Sequence, residues 1–525
     1  MSHENSECMS ETVHKPMILI STGILVSRIL GLVRDIVLAS IWGTGAAMGG
    51  WIFAFTIPNL LRALFAEGAF SSAFVPIFSE RLETEGRVAA WRSATVIIGS
   101  LLVVVSLVVA LIVGISFPLR SVVSNPTYRI ALDLLPIIMP YAILIAAGTA
   151  LGAALNTLGR FGVPAFSPLL LNLFLIGGAI LVSPWFGETP EQRIRVLPLA
   201  ALAAGVGQVL LHGVRCSQLG CRFRPRMERR HADTRRVARL MAPVMIGVGV
   251  MQLNILLDRL LAGWLGSEAI TSLYYSQRLV YLPVGLFGVA LGVVSLPMLS
   301  RAWAAGKLDE MADHLRAALG QVVFLAVPAA LGLLVVRTPL VSLLFQRGAF
   351  DAADTGETVY ALLFYLPGIP AFACAKVAVT PFHAAQDTRT PVRVAVICLV
   401  LNLVLNLSLM PFLRQGGLAL ATSIASWVNV LILLHLARRT MEKAAFTGFG
   451  THVARIVSAG IAGVAAAVAV SAAFGLDALP EGAVFGTRLV HTLVPLAVLG
   501  AVYTGTSLVL GCRDPVDLLR AIRGR

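Results

Sequence analysis

Four arginines stand where an apolar chain has least room for them. Arg28, Arg34, Arg62 and Arg278 fall inside stretches long enough to cross a bilayer. Placing one arginine at the centre of a spanning helix costs about 2.5–3.5 kcal/mol even on the lenient insertion scale. Guanidinium groups keep their charge and present a planar fork that grips phosphate oxygens two at a time. Four of them imply a hydrated cavity with a basic wall, suited to an anion such as a diphosphate. Contacts from two halves of the protein to one anion would also draw those halves together.

The local sequences refine this reading. Ser27–Asp35 puts Arg28 and Asp35 seven residues apart on one helix face, with Arg34 about 120° away. Asp35 is expected to hold one of the two arginines in place; the plainer alternative is an ion pair that only fastens helices. Pro58–Pro76 carries Asn59, Arg62 and Glu67, followed by the small residues Gly68, Ala69, Ser71, Ser72 and Ala73, which permit close helix approach and a bend. A packed helix with a snorkelling arginine is the alternative there. Arg278 closes Tyr274-Tyr275-Ser276-Gln277-Arg278. Asp258 is the clearest intramembrane acid of the second half, and Asn402, Asn406 and Thr422 follow it in later runs. Asn402 and Asn406, four apart, share a helix face. Such oxygens could hold Na⁺, or Asp258 could carry a proton; a purely structural pairing of Asp258 with Arg259 or an asparagine stands equally.

These side chains need an apolar scaffold. The chain has 525 residues, 57% of them hydrophobic and 13% charged. Soluble domains carry about 25% charged residues, so an all-α polytopic membrane protein is expected. Fourteen apolar runs are predicted as spanning helices, near 16–42, 50–78, 93–117, 130–156, 164–183, 196–214, 237–265, 270–299, 317–336, 358–384, 391–411, 417–437, 453–474 and 487–511. Residues 1–15 are polar and no short apolar core with a cleavage site follows, so the first run is expected to remain as a span. With fourteen spans, 27 of the 41 Lys and Arg fall on the side of the termini and 8 on the other. That bias puts both termini in the cytoplasm.

The two halves resemble each other. Asp35-x2-Leu38-Ala39-x3-Gly43 matches Asp258-x2-Leu261-Ala262-x3-Gly266. Val75-Pro76-x2-Ser79 matches Leu296-Pro297-x2-Ser300, and Pro164 matches Pro391. The offsets of 223, 221 and 227 residues predict a repeat of six helices, inserted in the same direction and related by a pseudo-twofold axis along the membrane normal. The expected organisation is an N-lobe over 16–214, a basic cytoplasmic linker over 215–236, a C-lobe over 237–440 and two further helices over 441–511. Lobes of this kind suit alternating access.

Several function classes are excluded. The net charge of +14 comes mostly from short loops between apolar runs, which is a topology signal and not a nucleic-acid footprint. Cys8, Cys216, Cys221, Cys374, Cys398 and Cys512 show no metal spacing and are read as structural or incidental. No GxxxxGK[ST] loop, HExxH or Ser/His/Asp constellation is present. Direct ATP drive and catalysis, such as a polyprenyl-diphosphate phosphatase, are therefore not expected. A cation exporter would line its cavity with acids.

The quoted segments, with Asn156-Thr-x2-Arg160-Phe161, Pro164 and Gly285–Ser300, resemble the MurJ (MviN) lipid II flippases of the MOP exporter superfamily. The resemblance runs in order from about 16 to 440. It implies fourteen helices in two lobes plus a C-terminal pair that offers a groove for a long lipid tail. It implies transport of undecaprenyl-diphosphate-linked muropeptide (lipid II) from the cytoplasmic to the periplasmic leaflet of the bacterial inner membrane. The family's cavity arginines fall on Arg28, Arg34, Arg62 and Arg278, and its motif positions on Asp35, Asn59 and Glu67. Its sodium site would fall on Asp258, Asn402, Asn406, Leu418 (through its carbonyl) and Thr422. No cofactor is implied beyond Na⁺ or H⁺ as coupling ion; membrane lipids, cell-wall synthesis proteins and a monomeric state complete the expectation. Departures are Gly49 for an acid, Ala63 for a second arginine, Gln277 for an acid, and Asn406 for the aspartate of some members. The related alternative is an exporter of another lipid-linked oligosaccharide or of drugs.

Overall fold

The computed structural model describes residues 2–66, 68–221, 231–441, 448–480, 482–512, 514–516 and 520. The described residues are almost entirely helical, as the unbroken apolar runs require. A bilayer offers no water to unpaired backbone groups, and a helix satisfies them within its own segment. Two compact units divide between Ser267 and Glu268.

The first unit holds α1 (Ser2–Trp42), α2 (Ala46–Leu61), α3 (Ala69–Val122), α4 (Pro126–Ile138), α5 (Pro140–Thr157), α6 (Gly162–Phe166), α7 (Pro168–Gly177), α8 (Pro190–Arg193), α9 (Val196–Gln218) and α10 (Ala232–Leu265). The second holds all but the first residue of α11 (Ser267–Pro283), then α12 (Val289–Ala304), α13 (Leu308–Val335), α14 (Arg337–Phe345), α15 (Ala352–Tyr365), α16 (Ile369–Ala378), α17 (Thr380–Ala384), α18 (Arg389–Thr440), α19 (Phe449–Ala473) and α20 (Phe485–Val509). Eleven helical stretches among the described residues are long and apolar enough to cross a membrane. Two of these contain a break, at Gly86 within α3 and at Arg414 within α18. Most of the predicted apolar runs fall on these stretches; the first, 16–42, lies on α1, and the fourth runs from α4 into α5.

The outer faces remain apolar. On α3, Val104, Leu107, Leu111 and Ile115 are exposed at helical spacing, while Leu101, Val105 and Val109 on the other face are buried. A helix apolar all round is one that packs on protein on one side and lipid on the other.

The internal repeat is visible in the turns. Left-handed backbone occurs at Gly43, Gly86, Gly159, Gly187 and Gly220, and again at Gly266, Gly306, Gln386, Arg414 and Gly448, 220 to 228 residues later. A π-helical turn at Arg62–Ala66 recurs at Val284–Gly288. The two halves of the sequence therefore bend at corresponding places.

One boundary differs from the sequence reading. The linker was expected to end the N-lobe at residue 214, with α10 opening the C-lobe; residues 222–230 of that linker lie outside the described residues. In the structure α10 is fastened at both ends to other helices of the first unit. Arg81 on α3 donates from Nε and Nη2 to the Asp233 carboxylate, both at 3.0 Å, and Ser93 Oγ donates to Asp233 Oδ2 at 2.6 Å. At the far end Asn125 Nδ2 donates to the Gly263 carbonyl at 2.9 Å, and the Tyr128 hydroxyl donates to that of Leu260. These polar clasps outweigh sequence adjacency to α11. Replacing Asp233, which is buried, by alanine leaves Ser93 without its acceptor and Arg81 with Glu85 alone. A loss of about 1–3 kcal/mol is expected, read as a lower melting temperature in detergent; an unchanged one would mean the clasp contributes nothing.

Candidate functional site

In the first unit the residues expected to meet an anion sit on α1 and at the end of α2. Arg34 donates from Nε and Nη2 to Asp35 Oδ1 at 3.0 and 2.7 Å, and from Nη1 to Asn172 Oδ1 at 3.0 Å. Asn172, on α7, donates in turn to the Ser27 carbonyl at 3.3 Å. Arg34 is 8% exposed and Asp35 fully buried. Asp35 thus orients Arg34, its neighbour in sequence, whereas its face was expected to be shared with Arg28. Arg28 is exposed on the same helix. Asn172 was not anticipated, although a single asparagine in the apolar run Pro168–Gly177 is a signal that could have found it.

Arg62 lies where α2 ends. Pro58 removes one helical donor, and the chain passes into the π turn Arg62–Ala66. Arg62 Nε donates to Asn59 Oδ1 at 3.3 Å, and both residues are half-buried. Gly68, with φ of 65°, ends the bend before α3. Only glycine takes that backbone without strain. Beyond it Phe70, Phe74 and Phe78 stack one turn apart at 5.0 and 5.4 Å, and Phe78 meets Trp91 edge-on. The bend is thereby held by a rigid buried ladder on its α3 side. π turns are frequent at functional positions. Glu67 lies outside the described residues.

In the second unit Arg278 is exposed on α11. Its Nη2 donates to the Tyr274 hydroxyl at 2.7 Å, and its guanidinium stands 4.8 Å from that ring's centroid. The opposite face of α11 anchors the helix. Tyr275 packs among Phe345 and Phe350, Ser276 Oγ donates to the Thr358 carbonyl at 2.8 Å, and Gln277 Nε2 donates to the Tyr365 hydroxyl at 2.8 Å. The π turn Val284–Gly288 follows.

Of the residues expected to hold a cation, Asp258 belongs to the first unit and the other four to the second. Asp258, buried on α10, accepts from Asn254 Nδ2 at 3.5 Å in the first unit. In the second unit the two arms of α18 bring four residues together. Asn406 Nδ2 donates to Asn402 Oδ1 at 2.9 Å, Asn402 Nδ2 to Thr422 Oγ1 at 3.3 Å, and Thr422 Oγ1 to the Leu418 carbonyl at 3.0 Å. Asn402, Asn406 and Leu418 are buried. These are neutral oxygens of the kind that suits a hard monovalent cation.

Guanidinium groups offer donors and charge but neither a nucleophile nor a proton acceptor.

The family model described as "Lipid II flippase MurJ" matches residues 38–483. A "Probable lipid II flippase MurJ" of Vibrio cholerae is 35% identical over 96% of this chain and 97% of its own. The "Lipid II flippase MurJ" of Burkholderia cenocepacia is 33% identical over 80% and 82%. Among solved structures, a "Lipid II flippase MurJ, inward closed conformation" matches at 25% identity and TM-score 0.73, covering 96% of this chain and all of the other. An inward-facing MATE family transporter of the MOP superfamily shares the fold at 13% identity and TM-score 0.65, over 82% and 99%. The chain therefore belongs to the MurJ family of multi-pass membrane proteins.

Proposed function

We propose that this protein is a lipid II flippase. It carries the undecaprenyl-diphosphate-linked peptidoglycan precursor from the cytoplasmic to the periplasmic leaflet of the inner membrane by alternating access, and it catalyses no covalent step. The observation that carries this reading is a family match along nearly the whole chain together with arginines at all four cavity positions, 28, 34, 62 and 278.

The headgroup's diphosphate is the natural counter-ion for these guanidiniums. Such charge-assisted forks are roughly twice as strong as neutral hydrogen bonds. Binding by Arg28, Arg62 and Arg278 ties the equilibrium between conformations to the presence of substrate. The π turns beside Arg62 and after Arg278 supply bending points for that change. The apolar outer faces of α19 and α20, with Val457, Ile461, Val490 and Leu493 exposed, suit the polyprenyl tail. Both termini are assigned to the cytoplasm on the loop charge bias. The protein works as a monomer beside cell-wall synthesis proteins.

Drive comes from the membrane potential, Na⁺ or H⁺. Asn402, Asn406, Leu418 and Thr422 are the oxygens for Na⁺, with Asp258 as the charged ligand. Restoring a carboxylate with Asn406→Asp is expected to raise Na⁺ affinity about fivefold or more, since one added charge at close range is worth at least ~1 kcal/mol. The measurement is the Na⁺-dependent rise in melting temperature, with K⁺ as control. Equal responses in the variant and the unmodified protein would remove these residues from the cation site.

The shared MATE fold admits a second reading, an exporter of another lipid-linked oligosaccharide or of drugs. Purified protein offered lipid II and an O-antigen precursor separates the two. Preference for lipid II is expected; equal or reversed preference would favour the second reading.

A further inference from the structure

Beyond the transport path, one cluster of metal-ligating side chains stands apart on the C-terminal helix pair. His452 is in the first turn of α19, whose amino end is set by Gly448 at φ of 81°. Cys512 follows α20. There Gly511, at φ of 78°, reverses the chain, with Cys512 N–H donating to the Ser507 carbonyl at 2.9 Å and Gly511 N–H to that of Leu508 at 3.0 Å. This paired cap fixes where the cysteine lies relative to the end of α20. Asp514 comes two residues later. His452 Nε2 and Asp514 Oδ2 are 3.6 Å apart, and the ligand atoms of all three residues lie within 4.8 Å of one another. Gly320 on α13 makes room for the ring, since a methyl group there would come within 3.2 Å of His452 Nε2.

We infer that His452, Cys512 and Asp514 form a binding site for a divalent first-row metal ion, zinc above all, that clasps the ends of α19 and α20 together. Nitrogen, thiolate and carboxylate donors are the set zinc takes, with bonds of about 2.0–2.3 Å that place tetrahedral donors roughly 3.3–3.6 Å apart. The His–Asp separation already meets that spacing, and side-chain rotation of the buried cysteine closes the rest. Water completes the fourth position. Thiolate and carboxylate together neutralise the dication, so the ion enters without leaving net charge on its ligands. Binding releases the thiol proton to solvent, as metal–thiolate formation requires. Without metal, burial and the Asp514 carboxylate push the Cys512 thiol up, while Arg455 pulls it down. The simpler role for these groups is the His452–Asp514 ion pair alone, which needs neither the cysteine nor a metal.

The test uses the full-length protein in detergent, carrying a purification tag without histidines and titrated with Co²⁺ as a spectroscopic stand-in. A thiolate-to-cobalt charge-transfer band with tetrahedral ligand-field bands is expected, bleached by added Zn²⁺. Cys512→Ser should abolish the charge-transfer band although five other cysteines remain. His452→Gln and Asp514→Asn, which keep every thiol, should each weaken Co²⁺ binding at least tenfold. Absence of the band in the unmodified protein, its survival in Cys512→Ser, or unchanged affinity in His452→Gln would overturn the inference. If Cys512→Ser does not fold, the affinity of His452→Gln decides.

Discussion

Replacing Arg62 and Arg278 together by alanine is expected to abolish complementation of cells depleted of their own lipid II flippase, while the variant still folds. Neither side chain is deeply committed to packing. Arg62 is half-buried beside Asn59, and Arg278 is exposed against Tyr274. A charge-assisted hydrogen bond contributes about 1.5–3 kcal/mol. Losing one such contact from each arginine weakens headgroup binding by roughly 100- to 10,000-fold. The paired lysine variants keep the charge but lose the fork, so intermediate binding is expected of them. Purified variants should keep the melting temperature of the unmodified protein within a few degrees. Normal growth on the double alanine variant would remove these residues from the substrate path.

Asp35→Ala has the second large effect, and it acts on the fold. Arg34 and Asp35 are buried together, with Asn172 completing the cluster. Removing one member of a buried ion pair strands the other charge, at a cost of about 3–5 kcal/mol. Asp35→Ala should therefore accumulate poorly and melt early. Making both positions apolar, Arg34→Met with Asp35→Leu, removes the stranded charge and should recover most of the stability, because buried pairs are often replaceable by well-packed apolar groups. The same double variant should still fail to transport, since Arg34 is assigned to the headgroup. Full transport by a stable double variant would reduce the pair to a helix fastener, the plainer of its two roles.

Much of the fold was legible because lipid-spanning helices announce themselves by apolar length. The repeat showed in three short motifs and is echoed in the structure by matching turns at Gly43 and Gly266, Gly159 and Gln386, and Gly187 and Arg414. The bends were harder to see. An apolar run reads the same through the π turns at 62–66 and 284–288, since hydrophobic content does not change where a helix widens. Helical geometry put Arg28 and Asp35 on one face, yet the long Arg34 side chain folds back onto its neighbour's carboxylate. Sequence order placed α10 with the later helices, whereas Arg81, Ser93, Asn125 and Tyr128 hold it to the first unit. Asn172 and the Tyr274 clamp depend on which helices meet and on one rotamer, neither of which spacing encodes. The group of His452, Cys512 and Asp514 has no motif spacing because the histidine opens α19 and the other two follow α20, 60 residues and more apart in sequence.

The central claim is that arginines at membrane depth carry a diphosphate-linked precursor across the bilayer. Its most direct measurement is the leaflet orientation of lipid II in flippase-depleted cells supplied with this chain, read by a probe that reaches only the outer leaflet. The unmodified chain should expose the precursor, and the chain with Arg28, Arg62 and Arg278 changed to alanine should leave it on the inner face. Equal exposure by both, or none by the unmodified chain when it is present and folded, would contradict the account.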